Sequence, residues 1–134
     1  MPNWCYNRLQ VFGGKEEIDK FKRSVKDENT ELSLKKVLPM PKKYDKDDAW
    51  YDWRCNNWGT KWDVDAELTD YDDEFLCYEF DSAWGPPTEA FLSASKKKYK
   101  NLEFNLKYEE PGMCFMGVFK CENGKIIQDE CIDY

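Results

Sequence analysis

The chain has 134 residues, of which 41% are hydrophobic and 16% aromatic, and this is enough apolar material for one hydrophobic core. It contains no histidine, which excludes every Ser-His or Cys-His nucleophile arrangement and removes the commonest metal ligand in proteins. The net charge of -7 is unevenly distributed, because residues 44–94 carry 14 acidic and 3 basic groups, a net -11, whereas residues 1–43 are net +4.

The beginning of the chain and its cysteines predict a cytoplasmic protein. Residues 1–4 lack the basic and apolar segments of a secretory signal, and no stretch approaches the roughly 18 apolar residues of a membrane helix. The six cysteines are widely spaced and form no C-x-x-C pair, so zinc and thioredoxin-like sites lose their usual signature. We therefore expect reduced thiols in a soluble protein without a cofactor.

A strand, a helix and an insertion are predicted in the first half of the chain. Residues 4–12 are rich in aromatic and β-branched side chains and stop at two glycines, which is typical of a strand. Residues 15–26 carry apolar side chains at helical spacing. Pro39-Met40-Pro41 then ends regular structure, and we interpret residues 39–61, which include Trp50 and Trp53, as a tryptophan-rich insertion.

The middle of the chain predicts a β-hairpin with an acidic face. Residues 62–69 alternate apolar and acidic side chains, as a half-buried strand does, and residues 75–81 repeat the pattern after a turn at residues 70–73. In two neighbouring strands, residues that stand opposite each other point their side chains to the same face of the sheet. The carboxylates expected on that side are Asp63, Asp65, Glu67, Glu79 and Asp81.

The last third predicts a second helix and three strands. Pro86-Pro87 opens a helix that ends near Lys98. A strand over residues 102–108 follows, and Asn123-Gly124 is a strong turn signal for a hairpin over about residues 113–133. The order is strand, helix, strand, strand, helix, strand, so we predict a single α+β domain over residues 1–134. Its fold is ferredoxin-like (βαββαβ), an antiparallel sheet with two helices on one face, extended by the C-terminal hairpin.

Four short motifs carry a resemblance that spans nearly the whole chain. They are Met1-Pro2-Asn3-Trp4-Cys5, Asn57-Trp58-Gly59-Thr60-Lys61-Trp62, Trp84-Gly85-Pro86-Pro87 and Tyr108-Glu109-Glu110-Pro111-Gly112. Together they resemble the YubB-like ferredoxin-like family of phage- and plasmid-encoded proteins, although Gly85 stands where that family's pattern has Ser. The resemblance implies a cytoplasmic protein of mobile-element origin, acting in replication, regulation or evasion of host defence, and it carries over no catalytic residue.

The five carboxylates support three interpretations. They could be the solvated face of a half-covered sheet. They could attract a basic protein by presenting charge as nucleic acid does. In the enzyme alternative, Asp63, Asp65 and Glu67 would hold Mg²⁺ or Mn²⁺ for chemistry on phosphodiesters or nucleotides. Direct nucleic-acid binding is disfavoured because acids occupy the sheet face on which bases would stack.

The tryptophans divide into two groups. Trp58, Trp62 and Trp84 are predicted to pack where the insertion meets two turns, with neighbouring glycines allowing close approach. Trp50 and Trp53 either hold the insertion down or anchor a protein partner.

The function that these patterns favour is a non-enzymatic, acidic protein-binding module. In this hypothesis the five carboxylates attract a basic protein, such as a host defence or nucleic-acid-handling protein, while Trp50 and Trp53 supply contact area. A membrane or direct nucleic-acid partner is not expected, and the sequence leaves the oligomeric state open.

Overall fold

The structure, a computed structural model, describes residues 2–134 of the chain. This range contains six strands and four α-helices. Met1, the first residue of the first sequence motif, lies outside this range. The strands are β1 Trp4–Phe12, β2 Glu67–Asp72, β3 Phe75–Ala83, β4 Glu103–Glu110, β5 Phe115–Glu122 and β6 Lys125–Asp133. The helices are α1 Lys15–Ser24, α2 Leu34–Val37, α3 Ala49–Asn57 and α4 Thr88–Lys96, and a 3-10 turn covers Lys42–Tyr44.

All six strands form one antiparallel sheet in the order β2-β3-β1-β4-β5-β6. The strand β1 lies between β3 and β4, and the elements β1, α1, β2, β3, α4 and β4 follow the βαββαβ order of ferredoxin-like domains. The predicted α+β, ferredoxin-like class is therefore confirmed. The strands β5 and β6 extend the sheet beyond β4.

One face of the sheet is covered and the other is not. Along β1, Cys5, Leu9 and Val11 are fully buried, whereas Trp4, Tyr6 and Arg8, which alternate with buried residues, are exposed. Because successive side chains of a strand point to opposite faces, this alternation separates an inner face from an outer face. The buried aliphatic and aromatic residues of the core lie between the inner face and the helices.

The helices α1 and α4 both pack on the inner face against one aromatic ring, Phe104. Phe21 of α1 lies 5.5 Å from Phe104 of β4 between ring centroids, and Phe91 of α4 lies 5.7 Å from the same ring. Such offset or tilted pairs add about 0.5–1.5 kcal/mol beyond the burial of their area. Phe104 thus holds α1 and α4 on the same side of the sheet.

The tryptophan-rich segment is tied to the core by Trp58. This indole is fully buried, its N–H donates to the Leu38 carbonyl at 2.9 Å, and the Trp58 carbonyl accepts from the Ala90 N–H of α4 at 3.3 Å. The Arg54 guanidinium lies 5.0 Å from the centre of its ring. The prediction that Trp58 packs where the insertion meets the core is confirmed.

The predicted strand over residues 62–69 is wrong in its position. The strand β2 begins only at Glu67 and continues to Asp72, with the turn at residues 73–74. Residues 62–66 are not part of the sheet, because the backbone of Ala66 is hydrogen-bonded to residues 30 and 31. The Ala66 carbonyl accepts from the Glu31 N–H at 3.1 Å, and the Ala66 N–H donates to the Thr30 hydroxyl at 2.7 Å. Apolar and acidic side chains alternate through residues 62–66 as they do in a strand, but the backbone here bonds to residues 30 and 31 and not to a neighbouring strand.

The cysteines form no disulfide in residues 2–134, and the helices of this range are too short or too polar to span a membrane. All six cysteines are free thiols, of which Cys5, Cys77 and Cys121 are buried. Within residues 2–134, none of the helices has both the length and the apolar character needed to cross a membrane.

Candidate functional site: the outer face of the sheet

The outer face is organised in rows that run across the strands. Strand register aligns Tyr6, Glu109, Met116 and Ile132 in one row, and Arg8, Lys107, Val118 and Glu130 in the next. These rows line a groove of about 480 Å³ on the β4–β6 side of the sheet. The acidic residues of β2 and β3 lie on the other side of β1.

The five predicted carboxylates are not all brought together. Glu67 and Glu79 stand directly opposite each other in β2 and β3, and Asp81 follows on the same face of β3. Asp63 and Asp65 precede β2 and so do not belong to the sheet. The outer face therefore carries three of the five acids.

Asp63 binds its own chain instead. Its carboxylate accepts hydrogen bonds from the Ser33 hydroxyl at 2.7 Å and from the backbone N–H groups of Leu34 at 2.6 Å and Lys35 at 3.3 Å. These are free N–H groups at the beginning of α2, which an acidic side chain satisfies well. We assign Asp63 a structural role at this helix.

The carboxylates do not form the predicted alternative metal site. Among residues 2–134, no three acidic or cysteine side chains come close enough to hold one metal ion. Asp65 is exposed beside the segment around Thr30, and Glu67 faces Glu79 on the sheet. The set Asp63, Asp65 and Glu67 is thus dispersed because the three residues do not share one strand.

Glu79 accepts a hydrogen bond on the outer face and stands opposite a basic residue. The Tyr6 hydroxyl donates a hydrogen bond to its carboxylate, and Arg8 stands opposite it in β1. The hydrogen bond from Tyr6 is the main cause that lowers the pKa of Glu79, and it raises the pKa of Tyr6. Tyr6 and Arg8 therefore offset the repulsion that Glu67 would otherwise exert on Glu79.

Trp50 and Trp53 lie on α3 and are partly buried. Trp53 packs against Trp58 at 5.9 Å and Tyr44 at 6.1 Å between ring centroids, and it adjoins the core. Trp50 lies beside Tyr51 and has the Arg54 guanidinium 5.1 Å from its ring centre. For Trp53 these contacts favour the packing interpretation over that of a partner anchor.

An exposed tryptophan cluster is the main feature that the sequence did not predict. Trp62 and Trp84, which were expected to be packed, are 38% and 48% exposed, so that prediction was wrong. Trp4 is 48% exposed and lies 6.0 Å from Trp62 between ring centroids. Lys61 Nζ lies 4.5 Å from the Trp62 ring centre and 6.0 Å from that of Trp84. We call Trp4, Trp62 and Trp84, with Lys61, the tryptophan cluster.

The backbone beneath the tryptophan cluster is fixed by hydrogen bonds. Trp84 has a φ of +70°, a left-handed conformation that is uncommon for a bulky residue. Its N–H donates to the Asn3 carbonyl at 2.8 Å, and the Thr60 hydroxyl donates to the Ala83 carbonyl at 2.9 Å. Residues held in such conformations concentrate at functional sites.

One signal in the sequence could have revealed part of this cluster. Trp4 and Tyr6 alternate with the buried Cys5 and Asn7 in β1, so the period of two already assigns both aromatics to the face opposite the core. No comparable pattern exists for Trp62 and Trp84. They lie in irregular segments, where exposure depends on the fold as a whole.

The fold and the uncovered outer face define a ferredoxin-like α+β domain. The family model for the ferredoxin-like domain in Api92-like protein matches residues 57–134, more than half of the chain, and the chain belongs to this family.

The crystal structure of protein api92 from Yersinia pseudotuberculosis is similar to this structure, with a TM-score of 0.80. The match covers 100% of this chain and 98% of the other, at 10% sequence identity. At that identity the similarity shows the fold alone. Among curated proteins, none matches the chain.

Replacing Asp63 with Ala should destabilise the protein by about 1–2 kcal/mol, because the N–H groups at the beginning of α2 lose their acceptor. The matched change Asp65→Ala, at an exposed acid two residues further on, should alter stability by no more than about 0.5 kcal/mol. Urea unfolding followed by circular dichroism measures both values. Equal losses in the two variants would contradict the role assigned to Asp63.

Replacing Tyr6 with Phe should raise the pKa of Glu79 towards its ordinary value of 4.5, because the main cause of the lowering is removed. NMR titration of the Glu79 side-chain carboxyl carbon measures this, and Tyr71→Phe on the other side of the sheet is the control. A pKa lowered by folding stabilises the folded state above the unfolded pKa, and this contribution is lost as pH falls through the folded pKa. The stability difference between wild type and Tyr6→Phe should therefore shrink on acidification. A Glu79 titration that is identical in both proteins would refute the assignment.

Proposed function

We propose that the chain is a non-enzymatic protein-binding module of phage or mobile-element origin, acting in the cytoplasm of a bacterial host. The observation that carries this proposal is the tryptophan cluster beside the acidic strands β2 and β3. Its partner is a basic protein, with a host defence or nucleic-acid-handling protein as the expected class.

The tryptophan cluster has the properties of an interface anchor. Tryptophan is enriched among the residues that dominate binding energy, and each such ring buries about 150–250 Å² when covered. Three exposed indoles on a rigid backbone form an apolar area of the kind that marks interaction sites on soluble proteins. Because the backbone below is already fixed, little conformational entropy is lost when a partner covers the rings.

The negative charge beside the tryptophan cluster favours a basic protein as the partner. Glu67, Glu79 and Asp81 share the outer face, so negative charge is concentrated on β2 and β3 there. Such a field accelerates encounter with a basic protein and repels an acidic one. The acids therefore supply attraction, and the indoles supply the contact.

The same charge argues against direct binding of nucleic acid. The exposed aromatics Trp4 and Tyr6 of β1 lie where RNA-binding sheets of this topology stack bases. The neighbouring strand carries Glu79 opposite Arg8 and Asp81 opposite Tyr6, so phosphates would meet carboxylates. The partner proposed is accordingly a protein.

The mobile-element origin is supported by the resemblance to YubB-like proteins. Several motif segments that carry it lie beside the cluster: Trp4 and Trp84 belong to two of them, and Trp62 closes a third.

The test uses a partner captured from a lysate of the bacterial host, identified by mass spectrometry and then purified. The affinity of Trp62→Ala for this partner should fall at least about tenfold, because truncating an interface anchor costs more than about 1.4 kcal/mol. Glu67→Lys combined with Asp81→Lys should slow association, and the association rate of wild type should fall as salt rises.

The control for the charge reversal is Asp45→Lys with Asp48→Lys, which changes the net charge equally at two exposed acids away from the sheet. It should leave the association rate close to that of wild type. Capture of no specific partner, or equal affinity in wild type and Trp62→Ala, would overturn the proposal.

A further inference from the structure

The last strand, β6, forms an edge of the sheet with one side of its backbone unpaired. Within residues 2–134 it pairs only with β5, and it lies at the end of the strand order. Nearly all its residues are exposed, including Ile126 at 51%, Ile127 at 57% and Ile132 at 59%. A long edge strand with exposed apolar side chains is a template for pairing with another strand.

Only one end of β6 is protected against such pairing. The register with β5 shifts between Lys120 and Cys121, where the β6 partners change from Gln128 to Ile126, so Ile127 forms a bulge. A bulge twists an edge away from regular pairing. The segment from Gln128 to Asp133 remains in regular register and is free to accept a strand along its open side.

Charge argues against a second copy of the chain as the occupant. The two antiparallel self-pairings that align five of residues 128–133 and keep side chains on their own faces place Glu130 opposite Glu130 or Asp129 opposite Asp133. Like charges directly opposite each other destabilise a strand pair. A strand with basic side chains on one face would meet Asp129 and Asp133 favourably.

The two faces of β6 differ in what they offer a neighbouring strand. Asp129 and Asp133 share the inner face, because they pair with Phe119 and Phe115 of β5. Ile132 lies on the outer face, beside Met116 and Val118 in the groove of about 480 Å³. An added strand would therefore suit these surroundings if basic side chains alternated with apolar ones.

We propose that the open edge of β6 binds an extended segment of a partner protein in which basic and apolar residues alternate. The backbone of the segment pairs with residues 128–133, its basic side chains face Asp129 and Asp133, and its apolar side chains lie beside Ile132 at the edge of the groove. Backbone hydrogen bonds supply affinity, and the alternating side chains supply specificity. This site is separate from the tryptophan cluster and does not depend on it.

The probe is the acetylated, amidated peptide Lys-Val-Lys-Ile-Lys-Val-Lys, titrated into isotope-labelled protein and followed by NMR. Amide shifts should concentrate in residues 128–133 and in β5. A peptide of the same composition with its lysines grouped at one end should bind at least about tenfold more weakly, because its period of two is lost. Equal binding of the two peptides, no binding, or shifts located elsewhere would overturn the proposal.

Two further comparisons separate strand pairing from charge attraction alone. Alternate residues of a paired strand direct their N–H groups to the neighbour, so peptides N-methylated on the lysines or on the apolar residues should differ at least about tenfold in affinity. Asp129→Lys with Asp133→Lys should weaken binding, whereas Asp45→Lys with Asp48→Lys should not. Equal affinity of the two methylated peptides would refute strand pairing. Because the assay contains only this peptide, its outcome leaves the proposal for the tryptophan cluster untouched.

Discussion

Phe21 of α1 and Phe91 of α4 both pack against Phe104 of β4, and these contacts determine which face of the sheet the two helices cover. Both rings approach Phe104 from the same side, at 5.5 and 5.7 Å between centroids, so α1 and α4 cover one face of the sheet. Along β1, the side chains of one phase are then buried, whereas those of the other phase are exposed or partly exposed. Because α1 and α4 cover only the inner face, the acids, aromatic residues and groove of the outer face remain accessible.

The end of the sheet that holds the tryptophan cluster is also where polar groups enter the core. Buried Asn7 donates to the Cys5 carbonyl at 3.0 Å and to the Ser82 hydroxyl at 2.8 Å, and burial raises the pKa of Cys5 to about 12. The Ser82 hydroxyl in turn donates to the Gly85 carbonyl at 2.6 Å. Hydrogen-bonded networks of this kind specify one backbone arrangement, and here they fix the loop that carries Trp84.

The sequence was most informative where the structure depends on local patterns. Alternation identified the buried set Leu76, Tyr78 and Phe80, and Asn123-Gly124 marked the C-terminal hairpin correctly. It misled at residues 62–66, because hydrogen bonds from residues 30–31, distant in the chain, decide that segment. The exposure of Trp62 and Trp84 was missed for a similar reason: whether an indole in a loop is covered depends on which elements the fold brings over it.

In our proposal the tryptophan cluster serves binding, and Trp84 is held outward at some cost to the stability of the fold. The unfolding free energy of Trp84→Gly tests it most directly, since glycine adopts a φ of +70° without strain. If Trp84 contributes nothing to the core, the variant should be as stable as wild type or more stable by up to about 1 kcal/mol, through release of strain. A loss of more than about 2 kcal/mol, as truncation of a packed side chain produces, would show that Trp84 is structural and would contradict the account.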